Sequence, residues 1–103
     1  MLKKGMPIKY KISALASQDI DSIIDYTVQN FGYKTMINYH QSLEHCFEIL
    51  AQNPLMGLQS DFIKENYYRF NHQSHVVFYQ ILGSKLVIIR VLHKSMDVTR
   101  MFD

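Results

Sequence analysis

The sequence has no tryptophan, one cysteine, two prolines and four glycines. The single cysteine, Cys46, excludes an intramolecular disulfide, and a reducing cytoplasm is the simplest setting. So few prolines and glycines exclude a collagen-like chain. Charged residues are 19%, below the roughly 25% of an average soluble domain, which excludes a disordered tail and a strongly charged nucleic-acid arm. Long apolar runs are missing too. The longest stretch of Val, Ile and Leu is Leu86 to Ile89, far short of a membrane span. Two early lysines are followed by Gly5 and Pro7, where a signal peptide needs an apolar run. No Gly-rich phosphate loop, paired-carboxylate motif, zinc spacing, repeat or linker is present, so no cofactor and no metal is expected.

What is there is aromatic and aliphatic. Of 103 residues, 48% are hydrophobic and thirteen are Tyr or Phe. This length predicts one domain over residues 1–103, burying roughly 65% of its unfolded surface. The net charge is only +2, but its distribution is uneven. Residues 1–11 carry four Lys and no acid. Residues 12–59 carry one Lys against five acids. Residues 60–103 carry six basic and four acidic side chains. An acidic middle between basic flanks predicts one basic face on the folded domain.

Ile8, Tyr10 and Ile12 alternate with Lys9, Lys11 and Ser13, the pattern of a half-buried strand near a sheet edge. Ser17 reads as a helix cap with Asp19 in the first turn. Ile20, Ile23, Ile24, Thr27, Val28 and Phe31 recur at helical spacing, and Gly32 stands where a terminating glycine belongs. Met36, His40, Leu43, Phe47 and Leu50 form the stripe of a second helix that Asn53-Pro54 ends. The Met and Phe of both helices are expected in the core. Residues 54–66 read as a loop, with a turn at Met56-Gly57. Three strands follow, over Tyr67–Asn71, His75–Leu82 and Lys85–His93, the last two joined by a Gly83-Ser84 hairpin turn. The expected fold is α+β in the order β-α-α-β-β-β. A helical hairpin covers one face of a small, mostly antiparallel, curved sheet.

Simple alternation puts Leu86, Ile88, Arg90 and Leu92 on one face of the last strand and Val87, Ile89, Val91 and His93 on the other. Both faces are apolar, yet the helices cover only one. The second face needs a partner, or else a strongly curled sheet packs both sides internally. Arg90 interrupts the apolar face and needs carboxylates, phosphate or water around its guanidinium. With His93, Lys94, Arg69, Lys64 and Arg100 it suggests a basic patch for RNA or an acidic partner. Arg90 and His93 are the residue types RNA cleavage uses for charge stabilisation and proton transfer. A solvated strand end is the plainer alternative. His72 and His75 read as local turn and strand histidines, His40 as half-buried, His45 as exposed and Cys46 as core packing.

Arg69-Phe70 with Ser74 to Tyr79, followed by Ile88 to Asp97, resembles the C-terminal half of the ParE toxins, part of the RelE/ParE superfamily of type II toxin–antitoxin systems. Ala16 to Ile20, Tyr26 and Phe31-Gly32 resemble that family's first helix. Leu50 to Pro54 with Gly57 resembles the end of its second helix and the following loop. The resemblance spans roughly residues 8–102, and Arg90 to Asp97 is its most specific stretch. It implies a bacterial, cytoplasmic toxin silenced by a cognate antitoxin. DNA gyrase is the implied target, operator DNA is reached only through the antitoxin, and no membrane is involved. The RelE branch instead cleaves mRNA on the ribosome. The tail from Val98 to Asp103 offers one Arg and no Tyr or His, so the non-catalytic ParE branch is favoured and no catalytic residue is expected. In the RelE-like alternative, Arg90 and His93 carry the chemistry. The expected partner-binding residues are Arg69, His75, Leu86, Ile88, Arg90, His93, Lys94 and Arg100. Two docking places are expected for the antitoxin: the groove of the helical hairpin, and the sheet face with Arg90.

Overall fold

A computed structural model describes residues 9–102, apart from the Thr99 side chain. Ile8, expected to open the first strand, lies outside that range, as do Lys3, Lys4 and Asp103. The chain begins with strand β1 (Lys9–Ile12) and passes straight into helix α1 (Ala14–Phe31). Ser13, not Ser17, is the cap. Its Oγ accepts the Ala16 N–H at 3.0 Å and donates to the Ile89 carbonyl at 2.9 Å. The cap is thus bound to the sheet as well as the helix, which starts the helix directly after the strand. Asp19 therefore falls in the second turn rather than the first.

Gly32 ends α1 at φ +91°, where a side chain would be strained, and its N–H bonds back to Val28. It is also the residue before α2 (Tyr33–Gln52), so the two helices form a hairpin with a one-residue joint. Leu43, Cys46, Phe47 and Leu50 make the buried stripe of α2, while Phe31 is 62% exposed, against its expected place in the core. A 3-10 turn (Pro54–Met56) and a two-residue strand β2 (Leu58–Gln59) then interrupt what the sequence read as loop. Strands β3 (Tyr67–His72), β4 (His75–Leu82) and β5 (Lys85–His93) follow, and a short helix α3 (Val98–Met101) closes the chain.

The sheet order is β1-β5-β4-β3-β2, with β1 parallel to β5 and the other pairs antiparallel. The helices cover its inner face. There Ala16, Ile20, Leu43, Phe47 and Leu50 meet Val77, Tyr79, Leu86, Ile88 and Val91, all 8% exposed or less. Tyr79 ties this core to the loop. Its hydroxyl donates to the Pro54 carbonyl at 2.8 Å and accepts the Gly57 N–H at 2.9 Å. Gly57 is needed for that approach, because a Cβ there would lie 2.5 Å from the Tyr79 hydroxyl and 2.8 Å from the Arg69 carbonyl.

The expected alternation along β5 does not hold. Tyr79 pairs with Ile88 but Phe78 pairs with Arg90, so Ile89 is an extra residue without a partner in β4. A one-residue slip of this kind inverts every later side chain. Leu86 and Ile88 point inward with Val91, whereas Arg90 and Leu92 point outward. The outer face has its own cover. The Phe102 ring lies 5.1 Å from Phe78 and 6.1 Å from Tyr67, and Phe78, Leu92 and Tyr67 are buried. The chain's own C-terminal segment thus takes up part of the apolar surface that sequence reasoning reserved for a partner.

Candidate functional site

β1 ends opposite Ile88, leaving the rest of β5 without a strand on that side among the described residues. Ser13 and α1 complete the edge. Ser13 N–H bonds to the Ile88 carbonyl, and an Asp19 carboxylate oxygen accepts the Val91 N–H at 3.0 Å. The same carboxylate takes both ends of the Arg90 guanidinium, Nε at 2.8 Å and the terminal nitrogen at 2.9 Å. The remaining terminal nitrogen donates to the Met101 carbonyl at 3.1 Å. Arg90 and Asp19 are 12% and 14% exposed. The hydrogen bonds to Asp19 raise the Arg90 pKa further. Arg90 is therefore a joint between α1, β5 and the C-terminal segment, not the open cation on a bare sheet that the sequence suggested. Sequence reasoning missed Asp19 as its partner. The signal was an arginine on an apolar strand, which requires an anion, but nothing local named one 71 positions away.

The other expected site residues scatter. Leu86 and Ile88 are fully buried beneath the helices, so they cannot form a contact surface, and the register slip turns Arg90 to the face opposite them. His75 is half-buried. Its Nδ1 lies 2.6 Å from the Tyr39 hydroxyl, and His72 Nε2 lies 3.0 Å from the Ser42 hydroxyl. Both histidines therefore bond to α2 rather than locally, as had been expected. Burial, with His93 and His72 nearby, pushes the His75 pKa down to about 4, so the ring is neutral and shares a hydrogen bond with the Tyr39 hydroxyl. Burial raises Tyr39 to about 12. His93 is exposed, with its ring against His75 and its Nδ1 on Ser95 at 2.8 Å. His93 lies on the inner side of β5 with His75, while Arg90 points outward. The two residues an RNase would need together are on opposite faces. Arg69 stands on the outer face opposite Phe78, and Lys94 and Arg100 are exposed at the end of β5 and on α3. Among the described residues, no three His, Cys, Asp or Glu side chains are placed to hold a metal ion.

On the helical side, a groove of about 240 Å³ lies between α1, α2 and the end of β1. Ile12, Ile20, Ile24, Leu43 and Phe47 line it, with Asp21 and Glu44 among the polar lining residues. His40 stands 3.8 Å from Glu44 there. A second cavity, about 220 Å³, lies on the other side of α2 and is floored by Cys46, Ile49 and Phe70. Burial pushes the Cys46 thiol up to about 11, which keeps it unreactive at neutral pH.

Two helices on one face of a five-strand mixed sheet are the architecture of the RelE/ParE class of toxins. Two solved structures share it. The chromosomal ParDE toxin–antitoxin system of Pseudomonas aeruginosa superimposes with a TM-score of 0.73 at 17% identity, covering 85% of this chain and 97% of that one. The Mycobacterium tuberculosis RelBE2 toxin–antitoxin complex gives 0.57 at 17% identity, covering 85% and 99%. In sequence, the profile described as "ParE toxin of type II toxin-antitoxin system, parDE" matches residues 10–98. Toxin ParE1 of Caulobacter vibrioides is 38% identical over 88 residues, which is 85% of this chain and 91% of that protein. Toxin ParE1 of Mycobacterium tuberculosis is 32% identical over 96 residues, 92% and 98% of the two chains. The chain belongs to the ParE toxin family of type II toxin–antitoxin systems. No helix among the described residues is long and apolar enough to cross a membrane.

Proposed function

We propose that this protein blocks DNA gyrase in the bacterial cytoplasm and is held silent by direct binding of a cognate antitoxin. The observation that carries the reading is its likeness to Toxin ParE1 of Caulobacter vibrioides along 85% of the chain. The site geometry favours a toxin that acts by binding. Arg90 is committed to Asp19 and Met101, and His93 faces away from it. His75 is a weak base at neutral pH. The antitoxin's place is the groove between α1 and α2. Its apolar floor suits one face of an amphipathic helix, and Asp21 and Glu44 suit Lys or Arg flanking that face. Half-buried Arg69 and exposed His93, Lys94 and Arg100 serve as further partner contacts. Operator sequence is read by the antitoxin, which carries the toxin with it.

Induced expression without the antitoxin tests both halves. Growth should arrest, DNA synthesis should stop first, and messages should stay intact. Normal growth would sink the toxin reading. Cut messages would move the target from gyrase to translation.

A further inference from the structure

The five strands contain no aspartate or glutamate at all. They contain five cations: Lys9, Lys11, Arg69, Lys85 and Arg90. The two long helices reverse this, with five acids against Lys34 alone. The pleat decides which way the sheet cations point. Tyr10 packs inward on Phe47 with ring centroids 5.7 Å apart, so Lys9 and Lys11 point outward. Lys85 is opposite Lys9 in the β1–β5 register and shares that face. Arg69 is opposite Phe78, whose ring lies under Phe102 on the outer side. Among the described residues, only Arg90 of these five is neutralised. Lys9, Lys11, Arg69 and Lys85 make no ion pair with any described residue. Lys9, Lys11 and Lys85 are exposed.

We propose that the outer sheet face, through Lys9, Lys11, Lys85 and Arg69, binds the phosphate backbone of duplex DNA without regard to sequence. These cations spread over β1, β5 and β3, a span of roughly 14 Å at the usual strand spacing. A duplex presents a charge about every 1.7 Å and matches such a spread-out array from many registers. An acidic peptide would need grooves or pockets for its side chains. Both cavities described above lie on the helical side instead. The acids of α1 and α2 repel DNA from the opposite side, so the field orients the molecule sheet-first. The inference concerns the toxin's own contact with DNA and stands whether or not gyrase is the target.

The test uses the full chain, free of antitoxin, and a fluorescein-labelled 20-base-pair duplex of arbitrary sequence. Anisotropy is read from about 50 to 200 mM salt. Binding in the range of about 10 µM, equal for unrelated sequences, should weaken with salt at a log–log slope near −3 to −4. Lys9→Gln/Lys11→Gln/Lys85→Gln should reduce the slope by about 2 to 3 and weaken binding at least about tenfold at 100 mM salt. Thermal melting verifies that this variant folds. Lys34→Gln, on the helical side, should change nothing. No binding at 100 µM toxin in low salt, or undiminished binding by a folded triple variant, overturns the proposal. So does tighter binding of poly-glutamate than of DNA, which would make the face an acidic-peptide surface.

Discussion

Arg90 sits where an apolar strand should tolerate no charge, and Asp19 accounts for it. The carboxylate meets the guanidinium two-to-two and also satisfies the Val91 N–H at the open strand edge. Removing either partner leaves the other largely out of water. Arg90→Ala or Asp19→Ala should therefore cost about 2–4 kcal/mol in urea unfolding. Arg90→Lys should recover little, because an ammonium cannot form the fork. The double variant should cost clearly less than the sum of the two; simple additivity would contradict the joint. Tyr79 makes a second test at this scale. Tyr79→Phe strands the Gly57 N–H and the Pro54 carbonyl, at about 1–3 kcal/mol. Gly57→Ala should destabilise by a similar amount, because its Cβ has no room beside Tyr79. A neutral effect of both on the melting temperature would show the contact to be idle. His75 adds a pH dependence. Its folded pKa, about 4, is below the ordinary value near 6.5. Between those values the unfolded chain binds more protons. Stability is thus full above about pH 6.5 and falls as pH drops toward 4, by at most about 1.4 kcal/mol per pH unit. His75→Gln should flatten that part of the curve of urea midpoint against pH, and an unchanged slope would assign it to other groups.

At the scale of elements, β4 and β5 were legible to the residue. Their β-branched runs and the Gly83-Ser84 turn are local signals, and Gly83 has the positive φ such a turn needs. The Gly32 joint was legible for the same reason. The slip at Ile89 was not. Neither glycine nor proline marks it, because it is set by how β5 pairs with β4. That one residue changed the reading of the candidate site, parting Arg90 on the outer face from Leu86 and Ile88 in the core. β2 was also hidden, since a two-residue strand has no period to detect. The C-terminal segment was read as a tail with one useful arginine, yet Phe102 covers Phe78. Phe102→Ala should expose Phe78 and lower stability by about 1–3 kcal/mol, with increased binding of a hydrophobic dye. Unchanged melting and dye binding would show that the cover adds nothing.

The whole molecule is a two-sided charge distribution. An acidic helical layer with an apolar groove backs onto a sheet that carries only cations. The sequence foreshadowed this in its acidic middle and basic flanks, but not which strand faces the lysines occupy. The helical layer is the side we propose for the antitoxin. Asp21→Lys with Glu44→Lys should weaken the toxin–antitoxin complex at least about tenfold in titration calorimetry while leaving the fold intact. Unchanged affinity would place the antitoxin elsewhere. The central claim, that the free toxin acts on gyrase, is tested most directly by supercoiling of relaxed plasmid with purified gyrase. Micromolar toxin should stop the reaction or trap cleaved DNA, and an equimolar amount of the cognate antitoxin should restore it. Full supercoiling in the presence of a folded, antitoxin-free toxin would contradict the account.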